Sequence, residues 1–485
     1  MIKVKNPARK SFPLGMVGST KFGFYPIISS EQTYNMFITD NFLVPYPGYK
    51  NVATISNSGI SRGGFVSSRA DVLFIVAGDM LYIVSSGLVV TAVGTLNSTT
   101  GPVYLEENNA NQILISDNND LYVYNYQTNA FSVVTFNGAN PPFKPGYITF
   151  QDGYFISPDI SSPFGPAQWR LSALNNGLLW PTVNTGTLTT KATTPQACIR
   201  FPSMGNQLLV MGETVTEPWY DVGAFPFPYT RSNSYNIDYG TVSPPTIAEG
   251  DKFIMWIGSN EKSQPVLMVS TGGGYERISN DGIDFVLSQI QHPEESYGFL
   301  FKTGGHLFYQ FSFTNPADNV SYAYDLNTQR FYTVTDENMN VHIAQQSYFF
   351  NHTNYFISIR DGNLYQFDTQ ISDYDYGGGY IFEIPRIRVT PTWRAQDTST
   401  VVEDEVSFIL EQGVNTNPAR IDLSISYDGG YTYSGDYSYD LNNTGNYRNK
   451  VQFWKLGYTN SVTHQFRFHG LDRFVVGEGV MEMTQ

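Results

Sequence analysis

The apolar positions of this chain fall in short runs of four to six residues, and they rarely follow the 3.6-residue period of an amphipathic helix. Representative runs, rich in Val, Ile, Tyr and Phe, cover residues 73–77, 113–116, 207–211, 253–257 and 355–359. Gly, Asn, Asp and Pro separate the runs, and pairs such as Asp152-Gly153 and Asp361-Gly362 suit tight hairpins. The pattern predicts an all-β fold built from short antiparallel strands.

A unit of four strands recurs along the middle of the chain. Residues 122–134 (YVYNYQTNAFSVV) and 322–334 (YAYDLNTQRFYTV) share the order strand, Asn/Gln-Thr turn, aromatic residue, strand. Similar units fit residues 65–95, 103–135, 147–180, 199–221, 251–279, 298–334 and 345–382. Their spacing of roughly 40–55 residues is typical of four-stranded propeller blades. We therefore predict an irregular β-propeller of about seven blades, with a β-sandwich or paired jelly roll as the structural alternative.

Two segments differ from this repeat and set the predicted domain boundaries. Residues 1–60 are rich in Pro and Gly, which predicts an extended N-terminal arm that also forms part of a platform. Residues 61–382 are assigned to the propeller. Residues 383–485 contain longer strands, and in QFRFH (465–469) apolar and polar side chains alternate strictly, as in a half-buried sheet. This last segment is predicted to form an antiparallel sheet or sandwich that completes the platform.

Composition and charge narrow the classes of function. Only 15% of the 485 residues are charged, whereas 34 Tyr and 34 Phe help bring the aromatic residues to 15%. A large surface with so little charge favours contacts between subunits. The net charge is −15, and the densest basic cluster is Lys3, Lys5, Arg9 and Lys10. A protein that grips nucleic acid is therefore not expected, whereas an acidic wall past which nucleic acid slides is compatible with this balance.

Motifs for metal, cofactor or nucleophile chemistry are sparse. The single Cys198 excludes internal disulfides and Cys-based zinc sites, and no apolar run is long enough to predict a membrane-spanning segment. The six histidines include no HExxH pair, and His464 and His469 are predicted to lie on opposite faces of a strand. There is no nucleophile elbow, Walker loop or dinucleotide fingerprint. We therefore expect no catalytic residue, no metal site and no cofactor.

Adjacent carboxylates are candidates for the two catalytic acids of a glycosidase. They occur at Glu106-Glu107, Glu294-Glu295 and Glu403-Asp404-Glu405. Neighbours on a strand point to opposite faces, and acids in loops are solvated, so none of these sets is predicted to be catalytic. Carboxylate pairs that meet only in the folded protein cannot be found from the spacing of acids in the sequence.

Residues 426–433 (SYDGGYTY) resemble the Asp-box hairpin of sialidase-type propellers, Ser-x-Asp-x-Gly-x-Thr-aromatic. In such a turn the Asp428 side chain accepts hydrogen bonds from backbone amides, and glycine takes a positive φ. The motif is structural in those enzymes, so it predicts a tight hairpin and says almost nothing about activity.

Motifs at both ends of the chain, taken in order, resemble the podovirus tail hub proteins, also called nozzle, head-closure or packaged-DNA stabilisation proteins. Near the N-terminus these are an Asn-Met pair (Asn35-Met36), the turn VPYPG at 44–48 and the segment GISRG at 59–63. Near the C-terminus they are the hairpin LSISYDG at 423–429 and the run FWKLG at 453–457. The resemblance therefore brackets the whole chain, while the middle matches only by pattern.

The resemblance implies a structural protein and not an enzyme. It implies a hexameric ring in a short phage tail, below the portal adaptor, that closes the head, retains packaged DNA and conducts it during ejection. The implied partners are five further copies, the portal adaptor, a tail fibre or tailspike, a tail plug or needle, and double-stranded DNA in transient, non-specific passage. The implied location is the virion, after assembly in the host cytoplasm. Candidate acids lining the channel of the ring are Glu294, Glu295, Glu403, Asp404 and Glu405.

Two alternatives use the propeller differently. One is a polysaccharide hydrolase or lyase, and the other is a carbohydrate-binding adhesion module. Either needs acids, arginines or tyrosines that converge at one mouth of the propeller. The available arginines, which no sequence pattern unites, are Arg62, Arg170, Arg200, Arg277 and Arg360.

Overall fold

The computed structural model describes residues 9–23, 30–138, 140–161, 167–201, 207–233, 235–271, 274–397, 399–413, 418–441 and 448–484. Residues 1–8 and 24–29 of the predicted N-terminal arm thus lie outside the described residues. The all-β prediction is confirmed, since the described elements are strands apart from helix α1 (Asp281–Gln289) and a 3-10 turn at Pro244–Thr246. Within the described ranges, no helix has the length and apolar character needed to cross a membrane.

Five strands precede the first complete blade of the propeller. They are β1 (Arg9–Pro13), β2 (Gln32–Tyr34), β3 (Met36–Thr39), β4 (Phe42–Pro45) and β5 (Gly48–Thr54). None of them forms a separate sheet, because each pairs with strands from much later in the chain or with a neighbour that does.

Seven four-stranded blades can be traced in the described residues, and they confirm the propeller prediction. Blade 1 contains β6 (Ser61–Ser67), β7 (Val72–Ala77), β8 (Met80–Ser85) and β9 (Val90–Thr95). Blade 2 contains β10 (Tyr104–Glu107), β11 (Gln112–Ser116), β12 (Leu121–Asn125) and β13 (Ala130–Val133). Blade 3 contains β14 (Thr149–Gln151), β15 (Tyr154–Pro158), β16 (Gln168–Leu171) and β17 (Thr185–Thr187).

The later blades are longer and less regular. Blade 4 contains β18 (Pro195–Phe201), β19 (Gln207–Gly212), β20 (Thr216–Asp221) and β21 (Tyr229–Arg231). Blade 5 contains the interrupted inner strand β22 (Gly240–Thr241) and β23 (Ala248–Glu249), then β24 (Ile254–Asn260), β25 (Ser263–Ser270) and β26 (Tyr275–Arg277). Blade 6 contains β27 (Ser296–Thr303), β28 (His306–Phe313), β29 (Val320–Asp325) and β30 (Arg330–Thr333).

Blade 7 is closed by a strand from the start of the chain. It contains β31 (Ala344–Phe350), β32 (Thr353–Ser358) and β33 (Asn363–Asp368), and its fourth strand is β5. The hairpin of β34 (Asp373–Asp375) and β35 (Ile381–Glu383), expected to finish this blade, instead adds beyond β5 through a parallel pairing. The arrangement ties the two ends of the propeller segment together, since β33 would otherwise be an unpaired edge.

The C-terminal strands form a β-sandwich, as predicted. They are β36 (Arg386–Val389), β37 (Trp393–Arg394), β38 (Val401–Gln412), β39 (Ala419–Ser426), β40 (Ser434–Leu441), β41 (Arg448–Thr459), β42 (Ser461–His469) and β43 (Phe474–Thr484). One sheet has the order β3-β4-β43-β38-β41 with β1 on β43, and the other contains β36-β42-β39-β40. Phe408 of the first sheet packs against Phe466 of the second, with ring centroids 5.3 Å apart.

The propeller and the sandwich share one sheet. Strand β2 pairs in parallel with β30 of blade 6 and antiparallel with β36, so a ten-stranded sheet runs from β27 to β40. Tyr34 is the residue of β2 that pairs on both sides, with Thr333 and with Ile387. The two parts are therefore joined by backbone hydrogen bonds and not by a flexible linker.

The Asp-box turn has the predicted hydrogen bonds. Asp428 Oδ1 accepts from the backbone amides of Tyr431 (2.9 Å) and Thr432 (3.0 Å), and the Thr432 hydroxyl donates to Oδ2. These donors hold the pKa of Asp428 below its usual range. Gly429 and Gly430 have φ of +83° and +98°. The motif here is a turn between β39 and β40.

Candidate functional site

The inner strands of the blades surround a narrow passage, which we call the axial channel. Neighbouring inner strands, such as β6 with β10 and β27 with β31, contact each other around it. The residues that begin these strands collect at one end, which we call the channel mouth. Two neighbouring cavities open there, of about 490 Å³ and about 430 Å³, and both are lined by Tyr297 and Thr314. The sizes are those of ordinary ligand pockets, about 300–1,000 Å³.

Several blades contribute polar and aromatic side chains to the mouth. The larger cavity is lined by Tyr104, Asn118, Gln196, Glu294, Glu295 and Tyr297. The smaller is lined by Ser61, Tyr297, Thr314, Gln345 and Arg360. The Tyr104 ring lies 4.8 Å from that of Tyr147, at an interplanar angle of 48°. Burial raises the pKa of Tyr104 and of Tyr297, and the side chains of Asn118 and Gln345, respectively, moderate this rise.

Two buried polar atoms at the mouth have no hydrogen-bond partner among the described residues. They are Ser61 Oγ and Gln345 Oε1. Ser61 is 2% exposed and Gln345 is 4% exposed, and both line the smaller cavity. Buried polar groups are usually paired, so these two atoms are exceptions to the rule. The neighbouring Arg62 is not free in this way, since its guanidinium donates to the carbonyls of Gly101 and Gly78, each at 2.8 Å.

Ionisable side chains from three blades approach one another deeper in the channel. They are Glu106 on β10, Arg200 on β18 and Glu249 on β23. Burial removes water from the Glu106 carboxyl and raises its pKa to about 8. The Glu249 carboxylate adds to this rise, and the Arg200 guanidinium opposes it. The same surroundings raise the pKa of Glu249 to about 7, again opposed by Arg200. Glu249 and Arg200 keep access to water in the channel, so solvent moderates the desolvation.

This group is a convergence that the sequence analysis missed. The sequence pairs Glu106 only with the adjacent Glu107, whereas its electrostatic partner Glu249 comes from blade 5. The two meet because both lie on inner strands of a closed ring. An alignment of the predicted blades would have shown that Glu106 and Glu249 both lie on inner strands, and this shared position could have indicated that they meet.

The predicted acids Glu294 and Glu295 lie at the rim of the mouth, and both are exposed. His292 Nδ1 lies 3.1 Å from Glu294 Oε1, and this hydrogen bond raises the pKa of His292. Asn315 donates to Glu295 Oε2 at 3.1 Å. Ligating atoms of His292, Glu294 and Glu295 lie within 4.8 Å of one another, so these are the side chains that could hold a cation here.

The other three predicted acids lie in the sandwich, away from the mouth. A β-bulge in β38 between Glu403 and Glu405 turns these two carboxylates to opposite faces of the sheet. Glu403 is 1% exposed and lies 2.7 Å from His464 Nε2 in the facing sheet. Glu405 is 4% exposed and accepts from Gln452 at 2.7 Å. Asp404 is half-buried and accepts a hydrogen bond from the Thr484 hydroxyl. That these acids line the channel of a ring stays a prediction.

The architecture defines the class: a β-propeller fused through a shared sheet to a β-sandwich. The family model described as "Bacteriophage P22 Gp10, beta-propeller" matches residues 24–302, and the one described as "Bacteriophage P22 Gp10, beta-sandwich" matches residues 385–484. The chain therefore belongs to the bacteriophage P22 Gp10 family. It is a structural protein of the phage tail and a component of the virion, as the resemblance implied.

Solved structures with a similar chain path are distant in sequence. Virginiamycin B lyase from Staphylococcus aureus is 13% identical, with a TM-score of 0.45, covering 66% of this chain and 99% of its own. The WD40 β-propeller domain of Doa1 is 12% identical, with a TM-score of 0.38, covering 66% of this chain and 96% of its own. No curated protein sequence matches the chain. At these values the likenesses carry no information on activity.

Proposed function

We propose that this protein is the hub, or nozzle, of a short phage tail. Six copies form a ring below the portal adaptor, close the filled head, retain the DNA and provide the bore through which it leaves. The ring assembles in the host cytoplasm and also binds a tail fibre or tailspike and a plug or needle. Family membership across both parts of the chain supports this proposal.

The observation that carries the proposal is the sheet shared by the propeller and the sandwich. A wall segment that resists the pressure of packaged DNA must not bend between its parts. Here β2 lies between β30 and β36, so backbone hydrogen bonds cross the joint. The buried Arg388 guanidinium also donates to the carbonyl of Met16 at 2.9 Å and to Thr33 Oγ1 at 3.0 Å. Each subunit can therefore transmit load as one body.

An exposed aromatic patch on the sandwich supports contacts between subunits. Trp454 and Tyr458 of β41 are 50% and 76% exposed. Tyr427 and Tyr431 of the neighbouring Asp-box turn are 45% and 73% exposed, and the Tyr427 hydroxyl donates to the carbonyl of Leu456. Exposed aromatic residues in one place are typical of protein interfaces. We assign this aromatic patch to the contact between neighbouring subunits of the ring.

The bore is assigned to the sandwich end of the subunit. Of the predicted acids there, Asp404 retains exposure and is proposed to face the DNA, whereas Glu403 and Glu405 hold the sandwich together. Six copies carry a formal charge of −90, since each carries −15. Charges within about 8 Å of DNA repel it at physiological salt, so DNA slides without adhering.

Assembly with the portal–adaptor complex tests the proposal. Purified protein is mixed with that complex and imaged by electron microscopy, while native mass spectrometry measures the stoichiometry. We expect six copies in a ring that caps the complex, with the sandwich towards the axis. A protein that stays monomeric and leaves the complex open would refute the hub assignment.

A pair of matched variants tests the assigned interface. Tyr458→Arg places a charge in the aromatic patch and is expected to abolish the ring while the subunit stays folded. Tyr380→Arg, at a tyrosine that is 68% exposed beside β35, is the control and is expected to assemble normally. Loss of assembly in both variants, or in neither, would contradict the interface.

A further inference from the structure

His469 lies where the chain passes from the propeller into the sandwich. It is the last residue of β42, and its ring faces Glu383, the last residue of β35. The chain then enters the sandwich at Arg386, where β36 begins. We call the hairpin of β34 and β35 (residues 373–383) the junction hairpin. The contact between Glu383 and His469 therefore ties the junction hairpin to the sandwich.

Two carboxylates bracket the ring of His469. Its Nδ1 lies 3.2 Å from Glu383 Oε2, and its Nε2 lies 3.3 Å from Asp422 Oδ2 of β39. A neutral imidazole carries a proton on one nitrogen only, so the other nitrogen would turn a lone pair towards a carboxylate. The imidazolium carries a proton on each nitrogen, and both carboxylates attract it. The geometry therefore suits the protonated ring.

Glu383 is held in its ionised form. Its Oε1 accepts a hydrogen bond from the amide of Gly470 at 2.6 Å, while its Oε2 faces His469. Burial disfavours the charge, but the hydrogen bonds from His469 and Gly470 outweigh burial and hold the pKa of Glu383 below its usual range. The Glu383 carboxylate is therefore available to His469 in mildly acidic solution.

Asp422 is fixed as well, because Ser438 donates to its Oδ1 at 2.6 Å and Arg420 Nη2 lies 3.0 Å from its Oδ2. A cavity of about 540 Å³ opens beside His469, and it is also lined by these charged side chains: Asp373, Arg386, Arg420, Asp440 and Asp472. Burial raises the pKa of Asp373. Among the types of side chain in this group, histidine is the one whose charge ordinarily changes between about pH 5 and pH 8.

A second tie between the junction hairpin and the sandwich does not depend on a proton. Arg386 is 4% exposed, and it donates to the carbonyls of Leu471 (2.5 Å) and Ser372 (3.1 Å). Arginine stays charged at all these pH values, so the start of the hairpin at Ser372 stays attached. We propose that His469 is a proton-operated clamp, which holds the end of β35 against the sandwich when protonated and releases it when neutral.

The clamp works in a defined range of pH. It is closed near pH 5.5, where the ring is charged and the carboxylates are ionised, and it opens as the pH rises towards about 8.5. The side chains of His469 and Glu383 are 34% and 48% exposed, so solvent screens their attraction. The expected change in the opening equilibrium is therefore about fivefold.

Hydrogen exchange of the full-length chain, followed by mass spectrometry, tests the clamp. Exchange is measured near pH 5.5 and near pH 8.5 and is corrected for the intrinsic chemical rate at each pH. We expect the amides of residues 381–384 and of Gly470 to be about fivefold less protected at the higher pH. The amide of Gly470 reports directly, because it donates to Glu383.

Two substitutions of His469 separate its charge from its position. His469→Gln is neutral at both pH values, so low protection of residues 381–384 is expected at both. His469→Arg is charged at both pH values, so high protection is expected at both. His352→Asn, at an exposed turn between β31 and β32, is the control and keeps the pH dependence. Asp373→Asn, in the cavity beside His469, is expected to keep it too.

Equal protection of residues 381–384 at the two pH values in the unmodified chain would overturn the inference. So would a pH dependence that persists in His469→Gln, one that persists in His469→Arg, or one that disappears in Asp373→Asn. These outcomes do not bear on the tail-hub proposal, because they are measured on the isolated subunit without ring assembly.

Discussion

At the residue scale, Arg388 shows how a single buried charge can anchor the joint between the two parts of the molecule. Its side chain is 0% exposed, and it donates to Gly15 O (2.6 Å) and Glu31 Oε1 (2.6 Å) as well as to Met16 and Thr33. Arg388→Met would leave these acceptors, including the Glu31 carboxylate, unpaired. We expect the free energy of unfolding to fall by about 3–5 kcal/mol, measured by urea denaturation.

An exposed arginine is the matched control for this prediction. Arg448 is 71% exposed, and its Nε lies 3.9 Å from Glu411, which is 60% exposed. Such surface pairs contribute at most about 1 kcal/mol, so Arg448→Met is expected to change stability by less than that. Equal losses in the two variants would show that the Arg388 network does not hold the joint.

Glu106 predicts a distinct pH dependence of stability. Its pKa rises from 4.5 to about 8 in the fold, so the folded protein keeps a proton that the unfolded chain releases. The free energy of unfolding must therefore decrease as pH rises from about 4.5 to about 8. Glu106→Gln removes this contribution. We expect the variant to match the unmodified protein near pH 4 and to exceed its melting temperature near pH 9, in thermal melts across this range.

The control for the pH prediction is an exposed acid. Glu411→Gln, in the sandwich, is expected to keep the downward trend of the unmodified protein. A Glu106→Gln curve that runs parallel to the unmodified one between pH 4 and pH 9 would mean that the channel does not desolvate this carboxyl.

The residue scale is also where sequence reasoning reached its limit. The capping of backbone amides by Asp428 could be predicted, because all the hydrogen bonds of the Asp-box turn join residues within one heptapeptide, from Ser426 to Thr432. The approach of Glu106 to Glu249 could not, since it depends on how seven blades close into a ring. Glu403 and Glu405 looked equivalent in sequence, but the bulge in β38 separates them. Contacts between residues that are close in sequence can be predicted from the local sequence, whereas contacts between different blades of the ring cannot.

At the element scale, β5 decides whether the ring of blades closes. Tyr49, at its start, is fully buried; its ring stacks on Tyr374 with centroids 4.2 Å apart, and its hydroxyl donates to Tyr376 at 2.7 Å. Tyr49→Ala opens a cavity and is expected to cost about 3–5 kcal/mol. Hydrogen exchange should accelerate first in β33 and β34, the neighbours of β5.

Tyr49→Phe separates packing from hydrogen bonding at the same position. It keeps the ring and loses only the bond to Tyr376, so we expect a loss of about 1 kcal/mol and unchanged exchange in β33. Accelerated exchange spread evenly over all blades in Tyr49→Ala would contradict a closing role for β5.

The hairpins of the blades could be predicted because turn residues mark them one by one. Asn129, Asp152 and Gln329 take positive φ at such turns, and the predicted units overlap the observed blades. The assignment of β5 to blade 7 could not be predicted in this way. Its sequence, GYKNVAT, has an ordinary strand pattern, but its partner β33 is about 300 residues away. Local strand propensity does not predict a pairing that closes so long a loop. Strand β2 is a second case of this kind.

At the scale of the whole molecule, the shared sheet predicts that the propeller and the sandwich unfold together. Tyr34 pairs with Thr333 of the propeller on one side of β2 and with Ile387 of the sandwich on the other, so an opening at β2 breaks hydrogen bonds to both parts. We expect a single calorimetric transition for the unmodified chain. Tyr34→Pro removes a backbone donor and cannot continue a central strand, so two separate transitions are expected. Tyr34→Ala keeps the backbone pairing and should retain the single transition at a lower temperature. One transition in Tyr34→Pro would show that side-chain packing at the joint couples the two parts without the shared sheet.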